Sequence, residues 1–132
     1  IVAFDINQDF LNFDGMTGIS GNGVDTAANA ANVNPIDGAI YVHLDGTDGT
    51  GAGALSVIAD YTALADVASF LEVSYGIAAG ENIVVVVNDL SNSSAYAYHV
   101  EATATTITSA MVSLIGTFDG DIGAAIDNND IS

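Results

Sequence analysis

The chain has 132 residues, half of them hydrophobic, with 17 acidic residues, no Lys and no Arg, so its formal net charge is −17. This length suits one domain with its own core, and the apolar content excludes a disordered acidic tail. With no basic side chain to neutralise phosphates, nucleic-acid binding is excluded and binding to anionic membranes is disfavoured. The absence of cysteine excludes disulfides and thiolate metal sites. No apolar run reaches the roughly 18–20 residues that span a bilayer, so no transmembrane segment is expected.

The first half of the chain alternates short apolar runs with turn signals. Residues 1–6 form an apolar, β-like segment, which we interpret as a possible inter-subunit strand. The Ala- and Asn-rich residues 27–34 suit either a short helix or a loop. Residues 39–44 have the composition of a strand, and the Gly-rich residues 45–53 are the most loop-like segment in the sequence.

Residues 60–75 carry the best helical pattern. The apolar positions follow the spacing of one helical face: Leu64, Val67, Ala68, Leu71 and Tyr75. Asp60 or Thr62 can cap the start of this helix, and Gly76 suits the position just past its end. We therefore expect one main α-helix at about 60–75, with its apolar stripe facing a sheet.

The most apolar stretch is Ile83–Val87, which has no alternation of polar and apolar residues. A strand with one solvated face alternates, so we expect both faces of this strand to be covered. Asn88-Asp89 and a polar turn follow, and we predict a central β-hairpin over 82–101. Residues 105–108 and 111–118 are predicted to be further strand. The chain is thus expected to be mainly β: a single β-sandwich-like domain over 1–132, with one main helix.

Three segments resemble the C-terminal regions of type I secreted, RTX-like bacterial extracellular proteins. Residues 4–19, FDINQDFLNFDGMTGI, are similar to the pattern F-D-x-x-x-D-x-I-D-F-S-x-x-T-G-I, and 84–98, VVVVNDLSNSSAYAY, to V-V-x-N-D-x-x-x-S-Y-x-Y. Residues 108–120, TSAMVSLIGTFDG, are similar to x-x-A-E-L-x-L-I-G-x-F-x-G. The calcium-binding nonapeptide G-G-x-G-x-D-x-U-x is absent. The resemblance implies export without a cleaved N-terminal signal, an extracellular or cell-surface location and an association with calcium.

Two acidic segments have the composition of a calcium site. Calcium takes about six to eight oxygen ligands, and Gly-rich loops can turn their carbonyls inward beside carboxylates. The spacing of an EF-hand is missing, and the alternative is that both segments are solvated polar loops. The candidate ligands for Ca²⁺ are Asp45 and Asp48 in the Gly-rich loop, and Asp119, Asp121, Asp127 and Asp130 near the end of the sequence.

Two other groups of residues are candidate sites. His43 and His99 both fall on predicted strands and could hold a transition metal if they were adjacent. Tyr41, Tyr96 and Tyr98 could form an exposed strip for sugars, although a tyrosine on a strand is ordinarily a packing residue.

These observations favour a structural extracellular protein over an enzyme. No nucleophile motif such as G-x-S-x-G is present, so no catalytic residue and no cofactor other than Ca²⁺ is expected. We expect a self-assembling subunit of a filament, surface layer or matrix, with head-to-tail association through residues 1–6 strengthened by calcium. The alternative is a calcium-binding accessory or secretion domain of a larger exported enzyme or adhesin. The start at Ile1 rather than Met leaves room for such a longer precursor.

Overall fold

The computed structural model describes Met16, Ile19 and residues 24–27, 35–43, 58–89 and 92–119. These residues form a five-stranded sheet and one α-helix, which confirms the predicted mainly-β class. The strands follow one another in sequential order: β1 (Val24–Ala27), β2 (Ile40–His43), β3 (Asn82–Asp89), β4 (Ser94–Glu101) and β5 (Val112–Asp119). The helix, α1, spans Leu64–Ser74.

The sheet is mixed. β1, β2 and β3 pair in parallel, whereas β4 is antiparallel to both β3 and β5. Helix α1 lies between β2 and β3 in the chain, so these three elements make the crossover that two adjacent parallel strands require. Because β1, β2, β3 and β5 run in one direction, their carboxyl ends share one edge of the sheet, and β4 begins at that same edge.

β3 is the most deeply buried element in the described part of the chain. Residues Ile83–Val87 have 0% exposed surface. Ile83, Val85 and Val87 belong to a cluster with residues of α1, on what we call the first face of the sheet. Val84 and Val86 lie on the second face, against which Met16 and Ile19 pack. Both predictions for this segment, the central hairpin and the coverage of both strand faces, are confirmed.

Helix α1 begins later than predicted. Asp60 forms a turn instead of a cap, because its Oδ1 accepts hydrogen bonds from the backbone N–H (2.8 Å) and the hydroxyl (2.7 Å) of Thr62. The N-cap position is Ala63, which has no capping side chain. At the other end the backbone becomes extended at the C-cap residue Tyr75, and Gly76 lies just past the end of the helix as predicted, without a left-handed φ. The predicted apolar stripe is confirmed, since Val67, Ala68, Leu71 and Tyr75 are buried and Leu64 packs against the same cluster.

Two other predictions about elements are wrong. Residues 105–108 are not a strand: they lie in bends and irregular chain before a short 3₁₀ turn at Ser109–Met111. Strand β1 was not predicted, because its four residues carry no alternating pattern and it is stabilised by pairing with β2, which is distant in sequence. The predicted segments 1–6 and 45–53, and residues 28–34, lie outside the described residues. Within the described chain, no helix combines the length and the apolar character needed to cross a membrane.

Candidate functional site: the polar edge of the sheet

Buried polar side chains concentrate at the carboxyl ends of the strands. Asn88, Asp89 and Ser94 are 0%, 5% and 6% exposed, and Ser74 is the only other buried polar residue in the described part of the chain. Asn88 and Asp89 end β3, and Ser94 begins β4 directly beside them. We call this region the polar edge. In sheets with parallel strands, ligands commonly bind outside the carboxyl ends, so the polar edge is the first place to look for a site.

A network of hydrogen bonds closes the turn at this edge. The side-chain amide of Asn92 donates to Asp89 Oδ2 over 2.7 Å, and the Asn92 backbone N–H donates to the Asp89 carbonyl over 3.2 Å. The Ser94 hydroxyl donates to the Asn92 carbonyl, and Ser93 between them has a left-handed φ of 52°. The sequence correctly predicted that Asn88-Asp89 would end the strand. It did not predict that the Asp89 carboxylate would be buried in the turn.

Three tyrosines join α1 to the polar edge. The rings of Tyr61 and Tyr96 stack with centroids 4.9 Å apart, and the Tyr98 hydroxyl donates to the Tyr61 carbonyl over 2.6 Å. Burial is the main cause that raises the pKa of Tyr98 well above its usual range, and nearby Tyr96, Tyr61, Asp60 and Asp89 add to the effect. Tyr98 therefore stays a neutral donor that ties β4 to the start of the helix.

The exposed tyrosine strip considered for sugars is not formed. Tyr41 and Tyr98 are 2% and 0% exposed, and only Tyr96 of the three is partly accessible. The Tyr41 hydroxyl accepts a hydrogen bond from the Ile36 backbone N–H, and its ring packs edge-on against Tyr75. These tyrosines act as packing residues with satisfied hydroxyls.

Both predicted calcium segments follow strands that end at the polar edge. β2 ends at His43, just before the segment of Asp45 and Asp48, and β5 ends at Asp119, just before Asp121. With about 4.8 Å between neighbouring strands, β2 and β5 are separated laterally by about 14 Å. β2 ends two residues short of the row that contains Asp119. The backbone of Asp119 pairs with Ser94, which in turn pairs with Asp89, so the three residues share one row of the sheet.

The ligand sets themselves stay predictions. Asp45, Asp48, Asp121, Asp127 and Asp130 and the side chain of Asp119 lie outside the described part of the structure. Among the residues that are described, no group of three or more His, Asp or Glu side chains could hold a metal ion.

The two histidines occupy different rows of the sheet. The backbone of His43 pairs with Val87, whereas that of His99 pairs with Val84. The two histidines are therefore two strands apart and offset by three residues along the strands. This placement does not support the adjacency that a shared metal would require. The Nε2 atom of His99 is buried without a hydrogen-bond partner in the described chain.

Backbone amides take the place of basic side chains as partners for the carboxylates. Asp37, Asp60, Glu72 and Glu81 accept hydrogen bonds of 2.6 to 2.8 Å from the backbone N–H groups of Asn82, Thr62, Ile107 and Ala78 respectively. Bonds of this kind, from a neutral donor to a charged acceptor, are among the stronger ones in proteins. Sequence analysis did not identify these donors. No residue type marks them in advance, because every non-proline residue carries an N–H.

A second surface of interest lies on the side of β5 that faces away from β4. β5 is an outer strand, and in the described chain it pairs only with β4. Leu114 and Ile115 are 36% and 41% exposed. The register with β4 shifts between Ala97 and Tyr98, so Ile115 has no partner there and forms a β-bulge. No carboxylate occurs between Glu101 and Asp119, the longest such interval in the sequence. We call the exposed residues of β5 that precede Asp119 the uncharged edge: Ser113, Leu114, Ile115 and Thr117.

The fold and the site define a class: a mainly-β domain whose mixed sheet contains two parallel and two antiparallel strand pairs and has a buried polar edge. No protein-family model, curated protein or solved structure matches the chain. The function must therefore be argued from the geometry and the charge.

Proposed function

We propose that the protein is a structural extracellular subunit that self-assembles into a filament, surface layer or matrix and is stabilised by calcium. The observation that carries this proposal is β5, an outer strand with Leu114 and Ile115 exposed in a chain that has no Lys to protect the edge. Natural sheets protect outer strands with charged residues, proline or bulges, because an unpaired edge is a template for association. β5 has the bulge at Ile115, which hinders extension of the sheet, but its exposed apolar side chains have no charged residue among them. Extracellular location is supported by the resemblance to type I secreted proteins.

The charge of the chain restricts how copies can approach one another. Two bodies of −17 repel, but at about 0.15 M salt the interaction is screened within roughly 8 Å. Only carboxylates close to a contact then oppose it strongly. The uncharged edge carries no carboxylate of its own, so a contact through it meets less resistance than a contact through an acidic surface. A second contact at β1, the other outer strand, or through residues 1–6 would extend a pair of subunits into a polymer.

Calcium is assigned to the polar edge and the two acidic segments that start there. A divalent cation would lower the repulsion among Asp89, Asp119 and the aspartates that follow β2 and β5. Support comes from the shared edge of these segments and from the burial of Asp89. The backbone amides already bound to Asp37, Asp60, Glu72 and Glu81 explain how the rest of the fold tolerates its charge without a cation.

The sandwich-like arrangement is part of the same proposal. The second face of the sheet is buried at Ile40, Val42, Val84 and Val86, and Met16 and Ile19 pack on it. We infer that Met16 and Ile19 belong to a second layer over this face.

The test is electron microscopy and light scattering of the intact chain, in calcium and in chelator. The proposal predicts polymers in calcium and smaller species in chelator. A chain that is strictly monomeric at high calcium would exclude the structural role. Calcium binding by such a monomer would instead favour the alternative, an accessory or secretion domain of a larger exported protein.

A further inference from the structure

We propose that the uncharged edge binds a second copy of this chain, in a two-fold contact centred on Leu114 and Ile115. The inference rests on the proposed self-assembly and names the surface through which it occurs.

The first argument is the distribution of charge. Successive carboxylates are at most 12 residues apart elsewhere in the sequence, against 18 from Glu101 to Asp119. The exposed residues of β5 within this interval are uncharged: Ser113, Leu114, Ile115 and Thr117. A basic partner would be drawn to the carboxylates elsewhere on the surface and not to this edge. The partner that fits is another uncharged surface, and a second copy supplies an identical one.

The second argument is the exposure of two adjacent large apolar side chains. Leu114 and Ile115 are consecutive residues of β5, and the only other large hydrophobic residue exposed in the described chain is Ile36, which lies in the turn before β2. Single exposed apolar residues such as Ile36 are ordinary on protein surfaces. A neighbouring pair on a surface free of charge gains from burial on both copies at once.

The bulge determines the kind of contact. Because Ile115 has no partner on β4, β5 cannot offer an uninterrupted ladder along its whole length to an incoming strand. The contact is therefore made by side chains instead of by extending the sheet. In a two-fold contact the same patch meets itself, which brings the two Ile115 side chains together near the axis and leaves Asp119 of each copy at the periphery.

Cysteine cross-linking tests this arrangement cleanly, since the chain has no native cysteine. The variant Ile115→Cys should form a disulfide-linked dimer under mild oxidation at protein concentrations where the wild type self-associates. Ile36→Cys is the matched control: at 72% exposure it is the more accessible of the two sites. Random collision would link Ile36→Cys at least as fast, whereas the proposed contact links Ile115→Cys at least ten times faster.

Each outcome decides a different point. Equal rates for the two variants would overturn the two-fold contact. If the wild type forms polymers and Ile115→Cys does not cross-link, the named surface is wrong while the proposed function stands. If the wild type is monomeric at every concentration and calcium level, the proposed function fails as well. Circular dichroism of both variants confirms that each is folded, so that a failure to cross-link is not a failure to fold.

Discussion

The carboxylate of Glu72 on α1 accepts a 2.6 Å hydrogen bond from the backbone N–H of Ile107, which lies 35 residues further along the chain. This contact fastens the helix to the loop that leads from β4 to β5. A second contact of this kind joins the Asp37 carboxylate to the backbone N–H of Asn82, 45 residues further along the chain. Ile107 itself is buried, so its N–H would otherwise lack a partner.

Removing this acceptor should loosen the loop. We expect Glu72→Ala to lower the free energy of unfolding by about 1 kcal/mol, because the Ile107 N–H is left unpaired, and Glu72→Gln to retain most of the stability. Urea unfolding measures both. Glu101→Ala is the matched control, since it removes the same charge from another exposed position. Equal losses for Glu72→Ala and Glu101→Ala would show that charge, and not the hydrogen bond, is responsible.

The helical stripe should not tolerate a charge. Leu71 is 0% exposed and belongs to the cluster on the first face, so Leu71→Asp would bury a carboxylate with no basic partner in the whole chain. We expect this variant to be unfolded by circular dichroism. Leu114→Asp makes the same substitution at an exposed site and should stay folded. Normal thermal stability of Leu71→Asp would mean that the stripe does not face the sheet.

Removing the buried hydroxyl of Ser74 should stabilise the protein. Ser74 is 1% exposed and its Oγ has no hydrogen-bond partner within the described residues. The hydroxyl therefore loses its hydration on folding and gains no hydrogen bond in exchange. We expect Ser74→Ala to raise the free energy of unfolding by about 1 kcal/mol. Ser69→Ala serves as the comparison, because the Ser69 hydroxyl donates to the Ala65 carbonyl at an exposed site. A loss of stability in Ser74→Ala would reveal a partner for this hydroxyl.

The turn before α1 should contribute to the loss of folding stability at low pH. The hydrogen bonds from the Thr62 side chain and backbone lower the pKa of Asp60 below its usual value of 3.8. A lowered pKa in the folded state means that the ionised group stabilises the fold above its unfolded pKa and loses that effect as the pH falls through the folded pKa. We expect Asp60→Asn to melt below the wild type at pH 7 and level with it at about pH 2. A gap in melting temperature that is unchanged at low pH would rule out the charge as its cause.

Local patterns were enough to predict the hairpin and the helix. The unbroken aliphatic run at Ile83–Val87 predicted a strand covered on both faces, and the spacing of Val67 and Leu71 predicted the buried side of α1. The parallel pairing of β1 with β2 was beyond such reasoning, because a four-residue strand depends on a partner that is distant in sequence. Likewise Thr105 to Thr108 has the β-branched composition of a strand, but the chain bends there and pairing begins only at Val112.

At the polar edge, too, some features could be predicted from the sequence and others could not. The end of a strand at Asn88-Asp89 could be predicted from residue types, and so could the acidic segments of Asp45 and Asp121. Their common edge could not, since it follows from the direction of β2 and β5 in the folded sheet. The partners of the carboxylates were equally hidden, because backbone N–H groups have no signature in the sequence.

The most direct test of self-assembly through the uncharged edge is sedimentation velocity of two charge-matched variants. Ile115→Glu and Ile36→Glu both raise the net charge to −18, one more than the −17 of the wild type, and differ only in where the new carboxylate sits. We predict that wild type and Ile36→Glu sediment above the 13.3 kDa monomer as concentration rises in calcium, while Ile115→Glu stays monomeric. Ile115→Glu associating as strongly as Ile36→Glu would contradict the account.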